Sequence, residues 1–447
     1  MNEMQGLSGA SGGNPGSRVL ILGGGFGGVS AAMRFEKEIR RNPGLRVTLV
    51  SQENFFSFTP MLHEVAASDL DITHIVNPVR KLLKRVDFLN ADVRGIDLAG
   101  KEVLISHGGD GHRHPIGYDH LVLALGSVTN FFGIPGLAER ALTMRTLGDA
   151  IVVRNRLIDH LEEADTECAA GIRRPLLTCV VAGGGFAGVE TVGAMNDFVH
   201  HSLRFYRHLT HDMVRIVLIH PGDVLLPELD PKLGRYAGTK LRERGVEVRT
   251  MVKVSGLTSD GVRLSDGTEI PARMLVWTAG TSPNPLLAGL ACGKVRGRAL
   301  VDEHLRVPGF DGVWALGDCA HIPDAKKGGA HPPTAQHALR EGRALARNVA
   351  ASIRGERLRP FRFTTIGQLA SLGRRTGVAN ILGVNFSGFA AWWLWRTIYL
   401  SKLPRMEKKV RVALDWTLDL LFSKDLVQFR TYRAVTADDS VKPREAA

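Results

Sequence analysis

The chain has few cysteines for its length. Its 447 residues include four, Cys168, Cys179, Cys292 and Cys319, and no two of them have a Cys-x-x-Cys or metal-ligand spacing. This scarcity argues against a redox-active dithiol and a cysteine-bound metal, and it favours a reducing compartment. Cys179 lies in a predicted strand, where we expect an inert core residue.

Long apolar segments are also missing. Residues 1–17 are rich in Gly and Ser but have no apolar centre, so they predict a disordered leader and not a secretory signal. Near the C-terminus no apolar run reaches the roughly 20 residues that a membrane-spanning helix needs. Arg396 interrupts the first of these runs. Export and a membrane-spanning anchor are therefore not indicated.

The charge balance is strongly basic. The formal net charge is +12 and the isoelectric point is about 9.8, which suits nucleic acid, cofactor phosphates or an anionic membrane. No nucleic-acid-binding module is visible, so we expect no nucleic-acid partner. Basic and aromatic residues are neighbours near the C-terminus, at Trp392, Trp393, Trp395, Arg396, Lys402, Arg405, Lys408, Lys409 and Arg411. This combination favours a membrane lipid surface as a partner.

The segment from Phe361 onward predicts two amphipathic helices. In the second, apolar and small residues recur at helical spacing, at Val410, Ala413, Leu414, Thr417, Leu420 and Leu421. Such helices would lie on a membrane surface. The alternative is a helix pair that packs in the protein core or between two copies of the chain.

One phosphate-binding signature occurs twice in the sequence. The copies are Gly23–Gly28 and Gly183–Gly188; each follows a short apolar run and precedes a helical stretch. In this motif the first Gly permits a tight turn and the second lets backbone amides approach a pyrophosphate. The third lets the helix pack on the strand. Two copies predict two bound dinucleotides, whereas a single copy could be a Gly-rich turn without a ligand.

The pattern around both loops alternates strands and helices. After the first loop come the predicted strands Arg46–Val50 and Asp119–Gly126. After the second, strands are predicted at 214–219, 246–248 and 274–277, with a helix over 231–244. This internal repeat predicts an α/β fold with two Rossmann-like dinucleotide-binding domains and a C-terminal amphipathic helical region for membrane association.

A third feature is the apolar run Gly312–Asp318, which ends in Gly317 and Asp318. A carboxylate at the carboxyl end of a strand is suited to bind a sugar hydroxyl. The alternative is a simple turn at the end of a strand.

Together these features resemble the two-dinucleotide-binding-domain flavoproteins. Within that superfamily, several stretches look like type II NADH dehydrogenases, the single-chain, non-pumping NADH:quinone oxidoreductases: Phe56–Leu62, Gly183–Glu190, Thr278–Gly280, Pro332–Gln336 and Gly367–Phe429. The resemblance implies an enzyme that passes hydride from NADH to FAD and then two electrons to a quinone. It implies an FAD-binding domain over 18–140 and 291–360, an NAD(P)H-binding domain over 141–290 and a membrane-association region over 361–447.

The resemblance also assigns site residues. On the FAD side it implies Gly23, Gly25 and Gly28 for the pyrophosphate, Asp318 for the ribityl chain, Ser51 or Glu53 for the ribose, and Phe26, Thr59, Gly126, Gly317 and Gln336 along the site. On the NAD(P)H side it implies Gly183, Gly185, Gly188, Glu190, His220 and Gly280. The implied catalytic set is Glu190, Gln336 and Arg340. Glu190 would lie near the nicotinamide end; its alternative is a solvated acid in the first turn of a helix.

Two positions depart from the family pattern. Arg340, followed by Glu341, stands where the quinone-site motif has its second glutamine, which leaves the acceptor open. His220 stands where NADH-selective sites commonly carry an acid. Its presence removes an expected repulsion of the 2′-phosphate, so NADPH remains open beside NADH.

Two other functions compete with this interpretation. A sulfide:quinone oxidoreductase shares the fold and the membrane tail but uses cysteines, for which Cys168 and Cys292 are the candidates. A non-catalytic, FAD-bound interaction protein could dock membranes through its basic tail. For the dehydrogenase we expect a peripheral location on the cytoplasmic face of the inner (cell) membrane, and the resemblance allows a homodimer.

Overall fold

The computed structural model describes residues 16–108, 111–326 and 328–429. The predicted leader, residues 1–17, lies almost wholly outside these ranges, and so does the end of the C-terminal region, residues 430–447.

The first glycine loop lies in a parallel five-stranded sheet. In spatial order its strands are Val313–Ala315, His120–Leu123, Arg18–Leu22, Arg46–Ser51 and Asp87–Asn90. Arg18–Leu22 is central, and its apolar residues are buried on both faces, as expected of a strand covered by helices. The loop helix Phe26–Arg41 packs so closely against the helix Ala335–Ile353 that a Cβ at Gly342 would lie 2.3 Å from the Gly27 carbonyl oxygen.

The second glycine loop lies in another parallel five-stranded sheet. Its strands, in spatial order, are Leu142–Thr143, Met274–Trp277, Thr178–Ala182, Arg215–Ile219 and Glu247–Arg249. The covering helices are Leu147–Thr166, Phe186–Ser202 and Pro231–Glu243. The predicted repeat of the α/β plan is confirmed, with predicted strand ends shifted by a residue at 214–219 and 246–248.

Smaller elements connect and cover these sheets. Ser127–Thr129 pairs with Thr281–Pro283 to form a two-stranded link between the two units. The other strands form small sheets: Phe55–Ser57 with Val76–Pro78; Asp92–Asp97, Glu102–His107 and His112–Gly117; Val254–Leu257, Gly261–Leu264 and Glu269–Pro271; and Lys294–Val295, Arg298–Leu300 and Ala320–His321. The short helices are Leu62–Ala66, Val79–Leu82, Leu137–Arg140 and Ala170–Leu176, with 3-10 turns at Thr59–Met61, Leu203–Phe205, His211–Met213, Pro285–Leu287 and Gly317–Cys319.

The C-terminal region is a small antiparallel sheet followed by two helices. The strands are Gly367–Ser371, Gly377–Ile381 and Val384–Ser387; the helices are Gly388–Lys402, here the tryptophan helix, and Met406–Leu421, here the terminal helix. Two helices were expected in this region, and its described part, up to residue 429, contains two.

The tryptophan helix presents its aromatic residues differently from our expectation. Trp395 is fully buried and Trp392 is 9% exposed, while Trp393 faces outward. The Arg396 guanidinium lies 4.2 Å from the centre of the Trp392 ring and 4.6 Å from that of Trp416. Trp392, Trp395 and Arg396 are packed against the body of the protein, so these three members of the basic and aromatic cluster do not face a membrane; the membrane surface stays a prediction for the exposed residues.

The terminal helix leaves one apolar face uncovered. Val410, Leu414, Leu418 and Leu421, here the apolar stripe, are 52%, 55%, 49% and 74% exposed. Val412 and Trp416, on the opposite side, are buried. Among the described residues, no helix combines the length and apolar character needed to cross a bilayer.

Candidate functional site

The first glycine loop has the geometry of a pyrophosphate cradle. Gly23 adopts φ 112°, and a Cβ there would lie 2.2 Å from the Ala124 carbonyl oxygen. A Cβ at Gly28 would lie 1.9 Å from the carbonyl oxygen of Gly23, so this glycine is required by the turn itself. At Gly25 no heavy atom lies within 4 Å of the Cβ position, and no side chain caps the helix that follows. The open position and the uncapped N–H groups fit a bound diphosphate.

Residues on either side of the first loop line the same edge of the sheet. A Cβ at Gly24 would lie 2.5 Å from Ser51 Oγ, so Ser51 lies directly beneath the loop. Glu53 is exposed, two residues beyond the end of its strand. Phe26 packs edge-to-face on Phe56 at 5.0 Å, and Thr59 begins a 3-10 turn in the following segment.

Asp318 lies at the end of the strand Val313–Ala315 in a fixed hydrogen-bond network. Ser127 Oγ donates to Asp318 Oδ2 at 2.8 Å, and Arg145 Nη2 donates to the same Ser127 Oγ at 2.9 Å. Gly126 and Gly317 beside it adopt φ values of 67° and 70°, which favour glycine. The structure thus brings the Gly-Asp end of this strand to the carboxyl edge that carries the first loop.

Glu341 is a site residue that our sequence analysis did not assign. Its Oε2 accepts a hydrogen bond from the Gly317 N–H at 2.8 Å. Burial raises the pKa of Glu341 to about 8, so the carboxyl group is neutral at pH 7. The sequence shows that Glu341 follows Arg340, but it does not show that Glu341 contacts Gly317.

The second glycine loop repeats this geometry. Gly183 has φ 119°, and a Cβ at Gly188 would lie 1.7 Å from the Gly183 carbonyl oxygen. The Cβ position at Gly185 is open except for Glu228 Oε1 at 3.8 Å. Gly280 adopts φ 77° where the Phe132 ring leaves no room for a Cβ. The loop therefore fits a second dinucleotide, and Glu228 is an acid at its mouth that sequence reasoning missed.

His220 lies behind the second loop. It is 8% exposed, and its Nδ1 accepts a hydrogen bond from the Gly184 N–H at 3.2 Å. Burial lowers the pKa of His220, which keeps the ring neutral. The structure brings His220 to the loop as predicted, but this side chain supports the loop backbone from its buried side.

Glu190 is a buried carboxylic acid, so the alternative of a solvated helix acid is wrong. Its Oε1 accepts hydrogen bonds from Trp395 Nε1 at 2.8 Å and from the Ser371 N–H at 3.2 Å. Burial raises its pKa to about 8. Both partners come from the C-terminal region, which therefore completes the environment of this acid.

Gln336 and Arg340 lie in the first turns of the helix Ala335–Ile353, facing the C-terminal sheet. Gln336 Nε2 donates to the Gly367 carbonyl oxygen at 3.1 Å. Arg340 Nη1 donates to the Gln336 carbonyl oxygen at 2.8 Å, and its guanidinium lies 4.1 Å from the centre of the Phe363 ring. Arg340 is thus held by a backbone acceptor and an aromatic face.

The four cysteines are all unpaired thiols. Cys168 is exposed, and the other three are buried. Burial raises the pKa of Cys179 to about 12, as expected of an inert core residue. Within the described ranges, no cluster of three or more His, Cys, Asp or Glu side chains could hold a metal ion.

Comparisons with known proteins agree with this geometry. Residues 17–342 match the family model of pyridine nucleotide-disulphide oxidoreductases, and residues 366–425 match the NDH2 C-terminal domain. A type II NADH:quinone oxidoreductase of Mycobacterium tuberculosis is 31% identical, with 91% of this chain and 89% of that protein covered.

Two solved structures give a comparison of folds. The structure of NDH2 from Plasmodium falciparum in complex with NADH superposes with a TM-score of 0.85 at 19% identity, covering 92% of this chain and 100% of that chain. The sulfide:quinone oxidoreductase of Aquifex aeolicus, also at 19% identity, reaches 0.65 and covers 91% of this chain and 94% of that one. The overall architecture is therefore more similar to that of NDH2 than to that of the sulfide:quinone oxidoreductase.

Proposed function

The chain belongs to the pyridine nucleotide-disulphide oxidoreductase family and, within it, to the type II NADH dehydrogenases. From this premise we propose which of its residues bind the cofactors and the acceptor of an FAD-dependent NADH:quinone oxidoreductase. The activity is the transfer of hydride from NADH to FAD and of two electrons to a quinone, without proton pumping. The single observation that carries the proposal is the pair of glycine cradles, each with one open position, at Gly25 and Gly185.

FAD is held, in this proposal, at the first loop. Its pyrophosphate takes the open position at Gly25 and the N-terminus of the helix Phe26–Arg41, between the turn glycines Gly23 and Gly28. Ser51 or Glu53 binds the adenosine ribose, and Asp318 binds the ribityl chain. When bound, FAD supplies the capacity to accept a hydride and to release two electrons. Thr59, Gly126 and Gln336 are assigned to the walls of the same site.

The nicotinamide dinucleotide is assigned to the second loop, at Gly183, Gly185 and Gly188. His220 keeps the loop backbone in place, and the Glu228 carboxylate lies 3.8 Å from the Cβ position of Gly185, where its charge disfavours the additional 2′-phosphate of NADPH. We therefore infer a preference for NADH over NADPH that derives from Glu228. Gly280, where the Phe132 ring leaves no room for a side chain, is assigned to the wall of the same site.

The acceptor side is formed by Gln336, Arg340 and Glu190. Gln336 and Arg340 lie where the helix Ala335–Ile353 meets the C-terminal sheet, and Arg340 replaces the second glutamine of the family motif with a cation. A guanidinium there can donate hydrogen bonds to a quinone oxygen. Glu190, neutral at pH 7, holds a proton that the reduction of a quinone requires.

We propose that the apolar stripe docks on the cytoplasmic face of the cell membrane. Four large apolar side chains on one helix face, next to Lys409 and Arg411, combine apolar area with positive charge toward anionic lipids. A second copy of the chain is the alternative occupant of this face, and it would make a homodimer.

The domain limits follow the sheets. We propose that 18–140 and 291–360 form the FAD-binding domain, 141–290 the NAD(P)H-binding domain and 361–447 the membrane-association region. The strand Val313–Ala315, which pairs with His120–Leu123, supports a discontinuous first domain.

The competing functions have less support. The sulfide:quinone reaction of the alternative needs reactive cysteines, but Cys168 is exposed on the surface and Cys292 is buried, and they form no pair. A non-catalytic FAD-bound protein has no need of a buried, protonated carboxyl group such as that of Glu190.

The test is oxidation of NADH and of NADPH by the purified flavoprotein, with and without a short-chain quinone, followed as loss of nicotinamide absorbance. We expect rapid, quinone-dependent oxidation of NADH. Flavin bleaching by sulfide but not by NADH would favour the sulfide:quinone alternative. Bound FAD without turnover of any donor and acceptor pair would favour the non-catalytic one.

A further inference from the structure

Two buried carboxyl groups each hold a tryptophan of the C-terminal helices. Glu190 Oε1 accepts from Trp395 Nε1 at 2.8 Å, and Glu64 Oε2 accepts from Trp416 Nε1 at 3.1 Å. Glu64 follows the Thr59 turn of the first unit, whereas Glu190 lies on the second loop helix. The two acids are thus brought together by the fold and not by sequence proximity.

His63 adjoins both acids, since it precedes Glu64 in the chain and its ring approaches Glu190. Its Nδ1 is 3.9 Å from Glu190 Oε2, and its side chain is 6% exposed. Among the described residues, its Nε2 has no hydrogen-bond partner. A buried ring nitrogen without a hydrogen-bond partner is destabilising, so a water molecule is the natural partner for this atom.

A small cavity adjoins His63 and Glu64. Its volume is about 20 Å³, and its wall includes Asp69, Asp197 and Lys424. One ordered water needs roughly 10–15 Å³ and two or more polar partners, and the cavity offers both. The Asp69 and Asp197 side chains retain 16% exposure each, so the far end of the cavity approaches solvent.

The protonation states suit proton transfer. Burial raises the pKa of Glu64 to about 8 and that of Glu190 to about 8, while burial lowers the pKa of His63 to about 3. At pH 7 both acids therefore hold a proton and the imidazole is neutral. The charged or titratable groups around them include Arg396, Asp69 and Lys424 near Glu64; Glu64, Tyr399 and His63 near Glu190; and Asp197, Arg374 and Asp419 along the cavity wall.

We propose that His63, Glu64 and one water in this cavity form a proton path from the surface near Asp69 and Asp197 to Glu190. The inference rests on the proposed function. Conversion of NADH, quinone and one proton to NAD⁺ and quinol needs that proton from solvent, because the hydride brings two electrons and only one proton.

Each transfer along the path moves one proton. Glu190 releases its proton toward the acceptor and takes another from His63 Nδ1–H, once the two side chains close the 3.9 Å between them. His63 Nε2 accepts a proton from the cavity water, and the water takes one from Glu64. Solvent near Asp69 then restores the proton of Glu64, and His63, which now carries its proton on Nε2, returns to the Nδ1–H tautomer by proton exchange before the next turnover. No oxidant or reductant beyond the established pair is required.

The experiment separates the two half-reactions by stopped flow. We compare wild type, His63→Gln and Glu64→Gln with the matched control His160→Gln, because His160 is also a histidine whose pKa is lowered by burial. We expect bleaching by NADH to be unchanged, since this step takes no proton from solvent. We expect reoxidation by quinone to slow about tenfold to 100-fold in His63→Gln and Glu64→Gln but not in His160→Gln. In the two slowed variants, the rate in H₂O divided by the rate in D₂O should be larger than in wild type.

A second readout does not depend on turnover. In the oxidised flavoprotein, the infrared C=O stretch of protonated carboxyl groups should lose one component in Glu64→Gln. If His63→Gln is reoxidised at the wild-type rate and with the wild-type isotope ratio, the proton path is wrong and the proposed function stands. An unchanged C=O band in Glu64→Gln would have the same meaning. Absence of bleaching by NADH in wild type would overturn the proposed function and the path with it.

Discussion

The N–H of Gly184 donates a hydrogen bond to Nδ1 of His220, at 3.2 Å. The ring therefore supports the second glycine loop at the point where related sites present an acid. The same ring blocks a Cβ at Gly184, since its Cγ would lie 2.6 Å away. We therefore expect a substitution at His220 to change both the loop position and the coenzyme preference.

His220→Glu should shift the preference toward NADH. A carboxylate can still accept from Gly184, and its charge repels a 2′-phosphate; a repulsion of about 1 kcal/mol changes the ratio of kcat/KM values about fivefold. The measurement is kcat/KM for both coenzymes. His220→Gln, which keeps an acceptor without charge, is the control. An equal shift in both variants would mean that charge is not the cause.

Glu228→Gln should shift the preference in the opposite direction. Its Oε1 lies 3.8 Å from the Cβ position of Gly185, and removal of its charge lowers the cost of bringing phosphate groups to this loop. We expect kcat/KM to rise for both coenzymes, which share a pyrophosphate, and to rise about fivefold more for NADPH, which adds a 2′-phosphate. Glu269→Gln, an exposed acid on a neighbouring sheet, should leave the ratio alone. No change in the Glu228 variant would remove it from the binding site.

Alanine at two glycines of the first loop should have different consequences. Gly25→Ala has room for its Cβ, so the protein should fold, but the methyl group occupies the position assigned to the pyrophosphate. Gly28→Ala meets the Gly23 carbonyl oxygen at 1.9 Å and should disrupt folding. Flavin content and circular dichroism measure the two effects. A folded Gly25→Ala protein with full flavin content would contradict the proposed cradle.

Acidic residues in the apolar stripe should release the protein from lipid. We expect Val410→Glu, Leu414→Glu and Leu418→Glu together to abolish sedimentation with anionic vesicles, because apolar area and favourable charge are both lost. The control replaces three exposed apolar residues outside the stripe, Ile172, Met251 and Leu300, with Glu, which gives the same change of net charge. Retained vesicle binding combined with a loss of dimers would identify a second copy of the chain as the occupant. Deletion of the whole tail is less informative, since it removes Trp395 and Trp416 from the core.

Stability should fall as pH rises above about 5. The folded protein keeps Glu341 protonated up to a pKa of about 8, against an ordinary value of 4.5, so between these values it binds more protons than the unfolded chain. One such group lowers the free energy of unfolding by at most about 1.4 kcal/mol per pH unit in this window. Glu341→Gln should make the dependence measured by urea unfolding with excess FAD less steep, while Glu64 and Glu190 continue to contribute in the same direction. Glu269→Gln, an exposed acid, should leave it as in wild type.

Local signals made part of the site predictable. The glycine loops and the Gly-Asp strand end are short motifs whose backbone geometry depends on neighbouring residues, and the structure has them where the sequence placed them. The contact of Glu190 with Trp395 joins residues 205 positions apart, and no spacing rule reports it. Glu228 escaped notice because it lies in a loop after the strand, where periodicity gives no orientation.

Helical spacing also could not tell which apolar residues would be covered. It predicted both C-terminal helices, but Trp395 and Arg396 face inward, where Glu190 and Glu64 are their buried partners, and the Trp392 ring packs against the Arg396 guanidinium. The face that remained open belongs to the terminal helix. Amphipathic patterns identify faces, and only tertiary packing decides which face meets solvent.

The late strand Val313–Ala315 has a consequence for synthesis of the chain. It pairs with His120–Leu123, so the first sheet lacks one edge until residue 315 has left the ribosome. All five strands of the second sheet lie between Leu142 and Trp277 and are available earlier. We expect the inserted middle unit to acquire protease resistance on the ribosome before the unit that precedes it, which reverses the usual order of folding from the N-terminus.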